Sequence, residues 1–199
     1  MEDPGQSKRQ KTGVIASTTL FPAERLAPSI NRSKPLVLVT HGSMNPVHLG
    51  HVAMMVLAKK AFEAQGFTVA KGFIGITRAS HIRKKGTEPI EDAERLRLIE
   101  IAAEQHSDWL THCGGEGVKV HSSTKLVGLL KSQCPKNALY AHVEGSDVFD
   151  RYFPKNKKYT KGAMKAIVTR AGEEEKVREL RSELRSGAEK ILILPPDSD

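Results

Sequence analysis

The chain has 199 residues, of which 39% are hydrophobic and 5% aromatic, and it contains two cysteines. That is enough to build one domain with a real core. No apolar run is long enough to span a bilayer, and the N-terminus lacks the apolar stretch of a secretory signal. Lys plus Arg number 31 against 23 Asp plus Glu, and the net charge of +8 favours anionic ligands. The low aromatic content and the lack of an RNA- or DNA-reading motif argue for phosphorylated small molecules rather than nucleic acid. Cys113 and Cys134 have no metal spacing. They read as reduced thiols, which places the chain in the cytoplasm or nucleus. The run Lys8-Arg9-Gln10-Lys11 would suit nuclear import, although such short runs are commonly solvated tail.

Residues 1–34 are rich in Ser, Pro, Lys and Arg and read as a loose polar arm. Residues 35–199 read as a single domain. Its first strand, 36–39, is apolar without alternation, as expected of a strand buried on both faces in a parallel sheet. A helix follows over 49–65, with Met54, Leu57, Ala58, Ala61 and Phe62 on one face and Gly66 as its C-terminal stop. A second strand covers 68–76, and a polar loop runs through 77–89. A second helix spans 90–106, a short strand 118–120 and a short helix 124–131. Strand 138–143 ends in Glu144-Gly145-Ser146-Asp147 and leads into a helix over 148–153. A basic loop, 155–161, precedes strand 165–169. A charged helix over 173–186 stops at Gly187, and 190–194 is the last strand. The alternation of strands and helices predicts an α/β fold: a Rossmann-like, doubly wound, open parallel sheet of five or six strands with helices on both faces.

Ligands of such sheets bind beyond the C-terminal strand ends. The turn 40–51, the loop 77–89, the turn 144–147 and the loop after Thr169 all leave by that edge. The first is the richest. A buried strand runs into Thr40-His41-Gly42-Ser43-Met44-Asn45-Pro46-Val47 and then a helix start carrying His48 and His51. Free backbone N–H groups and the positive end of the helix dipole suit an anion there, and the two histidines share a face.

The stretch Gly42-Ser43-Met44-Asn45-Pro46-Val47-His48-Leu49-Gly50-His51 resembles the HxGH nucleotidyltransferases. Within them it looks most like the nicotinamide or nicotinic acid mononucleotide adenylyltransferases. Further words occur in that family's order: Arg83-Lys84-Lys85-Gly86, Arg95-Leu96-Arg97-Leu98, Ser107-Asp108-Trp109, Gly145-Ser146-Asp147 and Val168-Thr169-Arg170-Ala171-Gly172. The resemblance runs over about 35–194. It implies transfer of AMP from ATP to the mononucleotide, giving NAD or deamido-NAD and pyrophosphate, with Mg²⁺ accompanying the substrate phosphates.

The resemblance implies that His51 contacts the α-phosphate and His48 helps hold the nucleotide. The competing readings are surface histidines at a helix start, or a metal pair with His41. Gly42, Ser43, Asn45 and Gly50 shape the nucleotide turn; His41 is left without a role. Lys84 and Lys85 match a family loop that meets the acceptor's phosphate, although a solvated basic loop reads the same way. Gly145 and Asp147 match a turn lying against the nucleotide. Asp147 suits a ribose hydroxyl or hydrated Mg²⁺, or equally a helix N-cap. Arg170 is a candidate phosphate partner. Arg95 and Trp109 are further candidates, Arg95 being equally suited to a structural ion pair near Glu91.

In the family, a Ser-Ser-Thr-x-x-Arg phosphate loop follows the last strand. Ser122-Ser123-Thr124-Lys125 has the look of it but precedes Gly145 and reads as a helix cap, so the domain is expected to lack that loop: either the chain is a fragment, or it binds ATP weakly, or another segment substitutes. Alternatives are another HxGH enzyme, either a cytidylyltransferase or a phosphopantetheine adenylyltransferase, and a non-catalytic nucleotide-binding relative. The expected partners are ATP and a phosphorylated mononucleotide, with no nucleic acid and no membrane; self-association into a homo-oligomer is open.

Overall fold

A computed structural model describes residues 26–114, 123–152, 163–184 and 187–196. Six strands form one all-parallel sheet: β1 (Pro35–Gly42), β2 (Thr68–Ile76), β3 (Leu110–His112), β4 (Leu139–Gly145), β5 (Met164–Val168) and β6 (Ile191–Leu194). Their order across the sheet is β3-β2-β1-β4-β5-β6. Every pair is parallel, as the non-alternating apolar strands require. The chain goes outward one way from β1 and then returns to start the other half at β4. The β1–β4 boundary is therefore the topological switch point.

Helices α1 (Leu49–Ala64) and α3 (Asp92–Ala102) cover one face. Helices α4 (Ser123–Leu130), α5 (Ser146–Tyr152) and α6 (Glu174–Ser182) cover the other; α2 (Ala79–Arg83) is a short turn after β2. The first face holds the larger core. There Leu36 and Leu38 of β1 and Ile74 and Ile76 of β2 pack on Met55, Ala58 and Phe62 of α1. On the second face Val37 and Val39 meet Leu126 and Leu130 of α4, while Ile167, Ile191 and Ile193 meet Phe149 and Val177. Among the described residues no helix is long and apolar enough to cross a membrane.

Four elements differ from the sequence expectation. The deepest positions of α1 are Val52, Met55, Ala58, Ala61 and Phe62, so its buried face is turned slightly from the expected one; Met54 and Leu57 flank it. Gly66 follows the end of α1 with φ +86°, where a side chain would be strained. Residues 79–83, read as loop, form a helical turn anchored by buried Ile82. The helix read as 90–106 is α-helical only to Ala102 and closes in a 3₁₀ turn at Glu104–His106. An edge strand at Leu110–His112 went unanticipated, and the strand expected at 118–120 lies outside the described residues.

Residues 26–34, read as part of the loose arm, dock on the domain. Leu26 is 1% exposed, and its N–H donates to Gln65 Oε1 at 2.9 Å. Arg32 spans Gln65 O at 2.9 Å and Leu26 O at 3.1 Å. The rest of the arm, 1–25, lies outside the described residues.

Candidate active site

A cleft of about 640 Å³ opens at the switch point, beyond the C-terminal ends of β1, β4 and β5. The turn 40–51 makes one wall and the turns after β4 and β5 make the other, with Ile82, Lys85 and Thr87 of the loop after β2 at the rim. All four segments expected to converge do so.

The first wall is built by close approaches. A Cβ on Gly42 would sit 3.2 Å from Met44 Cε, and Met44 itself takes φ +44°. A Cβ on Gly50 would fall 3.0 Å from His48 Nδ1, so the glycine lets the His48 ring fold back over the helix start. The His48 and His51 rings lie 3.8 Å apart between centroids. The His48 N–H donates to His51 Nδ1 at 3.3 Å. An accepting Nδ1 places the neutral ring's proton on Nε2, leaving a donor N–H. Burial, then the neighbouring His48, push the His51 pKa down from 6.5 to about 4. His51 is therefore a neutral donor at physiological pH, beside the N-terminus of a 16-residue helix. His41 lines the same cleft.

Hydrogen bonds join this wall to the loop after β2. Lys85 Nζ donates to Ser43 Oγ at 2.9 Å. The Asn45 side chain accepts from Ile90 N–H at 2.7 Å and donates to Glu88 O at 3.0 Å. Arg95, fully buried, donates to Ser43 O at 2.7 Å, to Ile90 O at 3.1 Å and to the Asp92 carboxylate.

On the second wall a Cβ at Gly145 would come 2.8 Å from Asp147 Oδ1, so the glycine makes room for that carboxylate. Asp147 Oδ1 lies 3.7 Å from the Arg170 guanidinium. Ser146, in between, is buried and donates its hydroxyl to Glu173 Oε2, which holds the Glu173 carboxyl below its ordinary pKa. This bond ties the turn after β4 to the turn after β5. At the floor, Glu144 pairs with the buried Lys165 ammonium at 3.0 Å. His142, beside Lys165 in register on β4, is pushed from 6.5 to about 4 by burial and then by the Lys165 charge.

The cleft thus gathers His48, His51, Gly42, Ser43, Asn45, Gly50, Gly145, Asp147, Arg170 and Lys85. Three expected residues fall elsewhere. Lys84 is exposed and does not line the cleft; of the two adjacent lysines only Lys85 turns inward. Arg95 lies behind the wall and not in it. Trp109 is a core residue: its ring covers Gly72, where a Cβ would be 2.6 Å from Cζ3, and Lys59 Nζ stands 5.7 Å from its centroid. Arg151, one turn beyond Asp147 on α5, lines the cleft and was missed; its i, i+4 spacing from Asp147 was the available signal. Ser122 lies outside the described residues.

The family model described as cytidylyltransferase-like covers residues 39–185. The chain belongs to the cytidylyltransferase-like family. Within it, 91 residues are 34% identical to the nicotinamide/nicotinic acid mononucleotide adenylyltransferase of Oryza sativa subsp. japonica, covering 44% of this chain and 35% of that protein. A 93-residue stretch is 32% identical to nicotinamide/nicotinic acid mononucleotide adenylyltransferase 1 of Saccharomyces cerevisiae, covering 45% and 22%. The matched stretch thus spans about a third or less of those curated relatives. The cytidylyltransferase-like fold is shared with solved structures of the Plasmodium falciparum nicotinic acid mononucleotide adenylyltransferase. Its complex with NaAD superposes with a TM-score of 0.55 at 15% identity, covering 83% of this chain and 77% of that one. The complex with APC gives 0.54 at 16%, covering 83% and 76%.

Proposed function

We propose that this chain transfers AMP from ATP to nicotinamide or nicotinic acid mononucleotide, releasing pyrophosphate. One observation carries the reading: a close, mutually tilted His48–His51 pair at the α1 N-terminus shares a cleft with Lys85 on one side and Asp147 and Arg170 on the other. The names of the two curated relatives point to the same reaction.

The chemistry asks little covalent help from the protein. An oxygen of the acceptor's phosphate, already ionised, attacks the α-phosphorus of ATP; a P–O bond forms there, and the bond to pyrophosphate breaks. Catalysis is alignment plus stabilisation of charge on the phosphates. His51, held neutral with its proton on Nε2, donates to the α-phosphate without competing for a proton. The helix dipole adds partial positive charge at the same place. Lys85 and Arg170 supply full charges, Lys85 toward the acceptor's phosphate. Gly42 and Gly50 let backbone approach the nucleotide, and Asp147 faces its ribose or hydrated metal.

Mg²⁺ fits this donor set as a companion of the substrate. Among the described residues no trio of His, Cys, Asp or Glu is grouped to hold a metal. Mg²⁺ keeps most of its water and is bound through phosphates and one or two carboxylates, and Asp147 supplies one such carboxylate on the cleft wall. When bound, the ion would neutralise phosphate charge.

The test is a substrate matrix. ATP and CTP are each offered with nicotinamide mononucleotide, nicotinic acid mononucleotide and phosphopantetheine, with Mg²⁺ present, while pyrophosphate is followed. Turnover restricted to ATP with a pyridine mononucleotide supports the proposal. Turnover with CTP or phosphopantetheine instead moves the chain to another member reaction. Tight ATP binding by calorimetry with no pyrophosphate under any pairing refutes catalysis.

A further inference from the structure

Arg95 is a fully buried arginine whose guanidinium reaches no substrate surface. Burying a guanidinium is costly unless its donors are met. Here they are met by the Ser43 carbonyl at 2.7 Å, the Ile90 carbonyl at 3.1 Å and the Asp92 carboxylate. Two of the three acceptors belong to two separate segments on the same side of the cleft, the turn after β1 and the loop after β2. Ser43 sits in the nucleotide turn after β1, and Ile90 closes the loop that carries Lys85.

The same two segments are bridged again on the outside. Asn45 accepts from Ile90 N–H, and Lys85 Nζ donates to the Ser43 hydroxyl. Ser43 is thus held twice: its carbonyl from behind by Arg95, its hydroxyl from the cleft side by Lys85. Because the peptide unit is planar and trans, fixing the Ser43 carbonyl on Arg95 also turns the Met44 N–H away from the guanidinium. Met44 takes a left-handed conformation that a freed peptide would leave readily.

We infer that Arg95 is a positioning residue that fixes the nucleotide turn and the Lys85 loop in one geometry, so that the Lys85 ammonium stands ready for the acceptor's phosphate. This rests on the functional reading above. Lysine cannot replace it: one ammonium on a flexible stem cannot serve three acceptors in the planar spread of a guanidinium.

The experiment compares Arg95→Met and Arg95→Lys in the full chain, alone and combined with Lys85→Ala. Loss of the anchored lysine should raise KM for the mononucleotide on the order of tenfold in Arg95→Met, with kcat changed by less than about threefold, since a hydrogen bond to a charged group is worth that much. In the Lys85→Ala background the Arg95 substitution should add little, because its effect passes through that lysine. A role in folding alone would lower Tm and active fraction while leaving KM of the folded enzyme unchanged; that result, or an equal KM effect with and without Lys85, overturns the inference. Should Arg95→Met not fold, Arg95→Lys together with Asn45→Ala, which cuts the outer bridge, carries the same KM comparison. Amide exchange at Ile90 gives a readout independent of turnover. Faster exchange in Arg95→Lys than in the parent supports the coupling even if no pyridine mononucleotide proves to be a substrate, and unchanged exchange refutes it.

Discussion

Acid should destabilise this protein through one buried histidine in particular. His142 lies on β4 at 5% exposure, beside the buried Lys165, and its pKa is pushed down from 6.5 to about 4. The unfolded chain protonates this imidazole below pH 6.5, whereas the folded chain resists until about pH 4. Between those values the unfolded state binds more protons, so folding stability falls as pH falls. The contribution is fully present above pH 6.5 and gone below about 4. The gap of roughly 2.5 pH units corresponds to about 3 kcal/mol. His51 titrates over the same window but is only partly buried, so solvent screening makes its share smaller. Replacing His142 with Leu, similar in size and neutral at every pH, removes this proton-uptake site. Urea unfolding at pH 7.5, 6.0 and 5.0 is the assay. The parent should lose about 2 kcal/mol more than His142→Leu over that span, which is a shift of about 1 M in urea midpoint at a typical slope. Parallel losses in the two proteins would show that His142 is not held neutral by its surroundings.

Gly145→Ala should displace the Asp147 carboxylate, whose Oδ1 stands 2.8 Å from the new methyl. Since that carboxylate is the free end of a side chain, stability should change by less than about 1 kcal/mol. KM for ATP should nonetheless rise several-fold; an unchanged KM would remove Asp147 from the nucleotide side. Trp109→Ala should cost about 3–5 kcal/mol in unfolding free energy, as expected of a large core residue. It should leave KM for both substrates unchanged in the folded fraction, and a selective rise in mononucleotide KM would instead make Trp109 part of the acceptor pocket. Lys85→Ala should weaken the mononucleotide on the order of tenfold, as loss of a charged hydrogen bond does, while Lys84→Ala should leave it near parental strength. Equal effects would contradict the inward turn of Lys85 alone.

The sheet was readable because a strand buried on both faces must be apolar throughout. Residues 36–39 and Ile191–Leu194 announce themselves that way, whereas 165–169 shows only the short apolar run Ala166-Ile167-Val168 between Lys165 and Thr169. The strand Leu110–His112 was not, because three residues at a sheet edge carry too little pattern to separate from a loop. The same is true of Ala79–Arg83, a five-residue helix that buries one side chain, Ile82.

At the site, the nucleotide turn was legible because glycine, histidine and helix start fall in a fixed local order. Choosing Lys85 over Lys84 was not, since adjacent residues in an irregular loop differ only in where the folded backbone turns them. Arg95 and Trp109 show the same limit from the other side. An arginine and a tryptophan look functional in a sequence, and only the structure shows the first gripping Ser43 from behind and the second filling the space over Gly72. Arg151 went unnoticed because its i, i+4 spacing from Asp147 places the two on one helix face but does not show that this face looks into a cleft that other strands complete.

The proposed reaction rests most directly on the neutral His51, at the head of α1, as the donor that stabilises the α-phosphate during AMP transfer. Rapid-mixing turnover of ATP and nicotinamide mononucleotide with Mg²⁺, following dinucleotide and pyrophosphate together, tests it in the parent and in His51→Ala. One pyrophosphate per dinucleotide is expected in the parent, and a kcat lowered on the order of 10²-fold or more in the variant with KM values little changed. A His51→Ala protein that forms dinucleotide at the parental rate would contradict it.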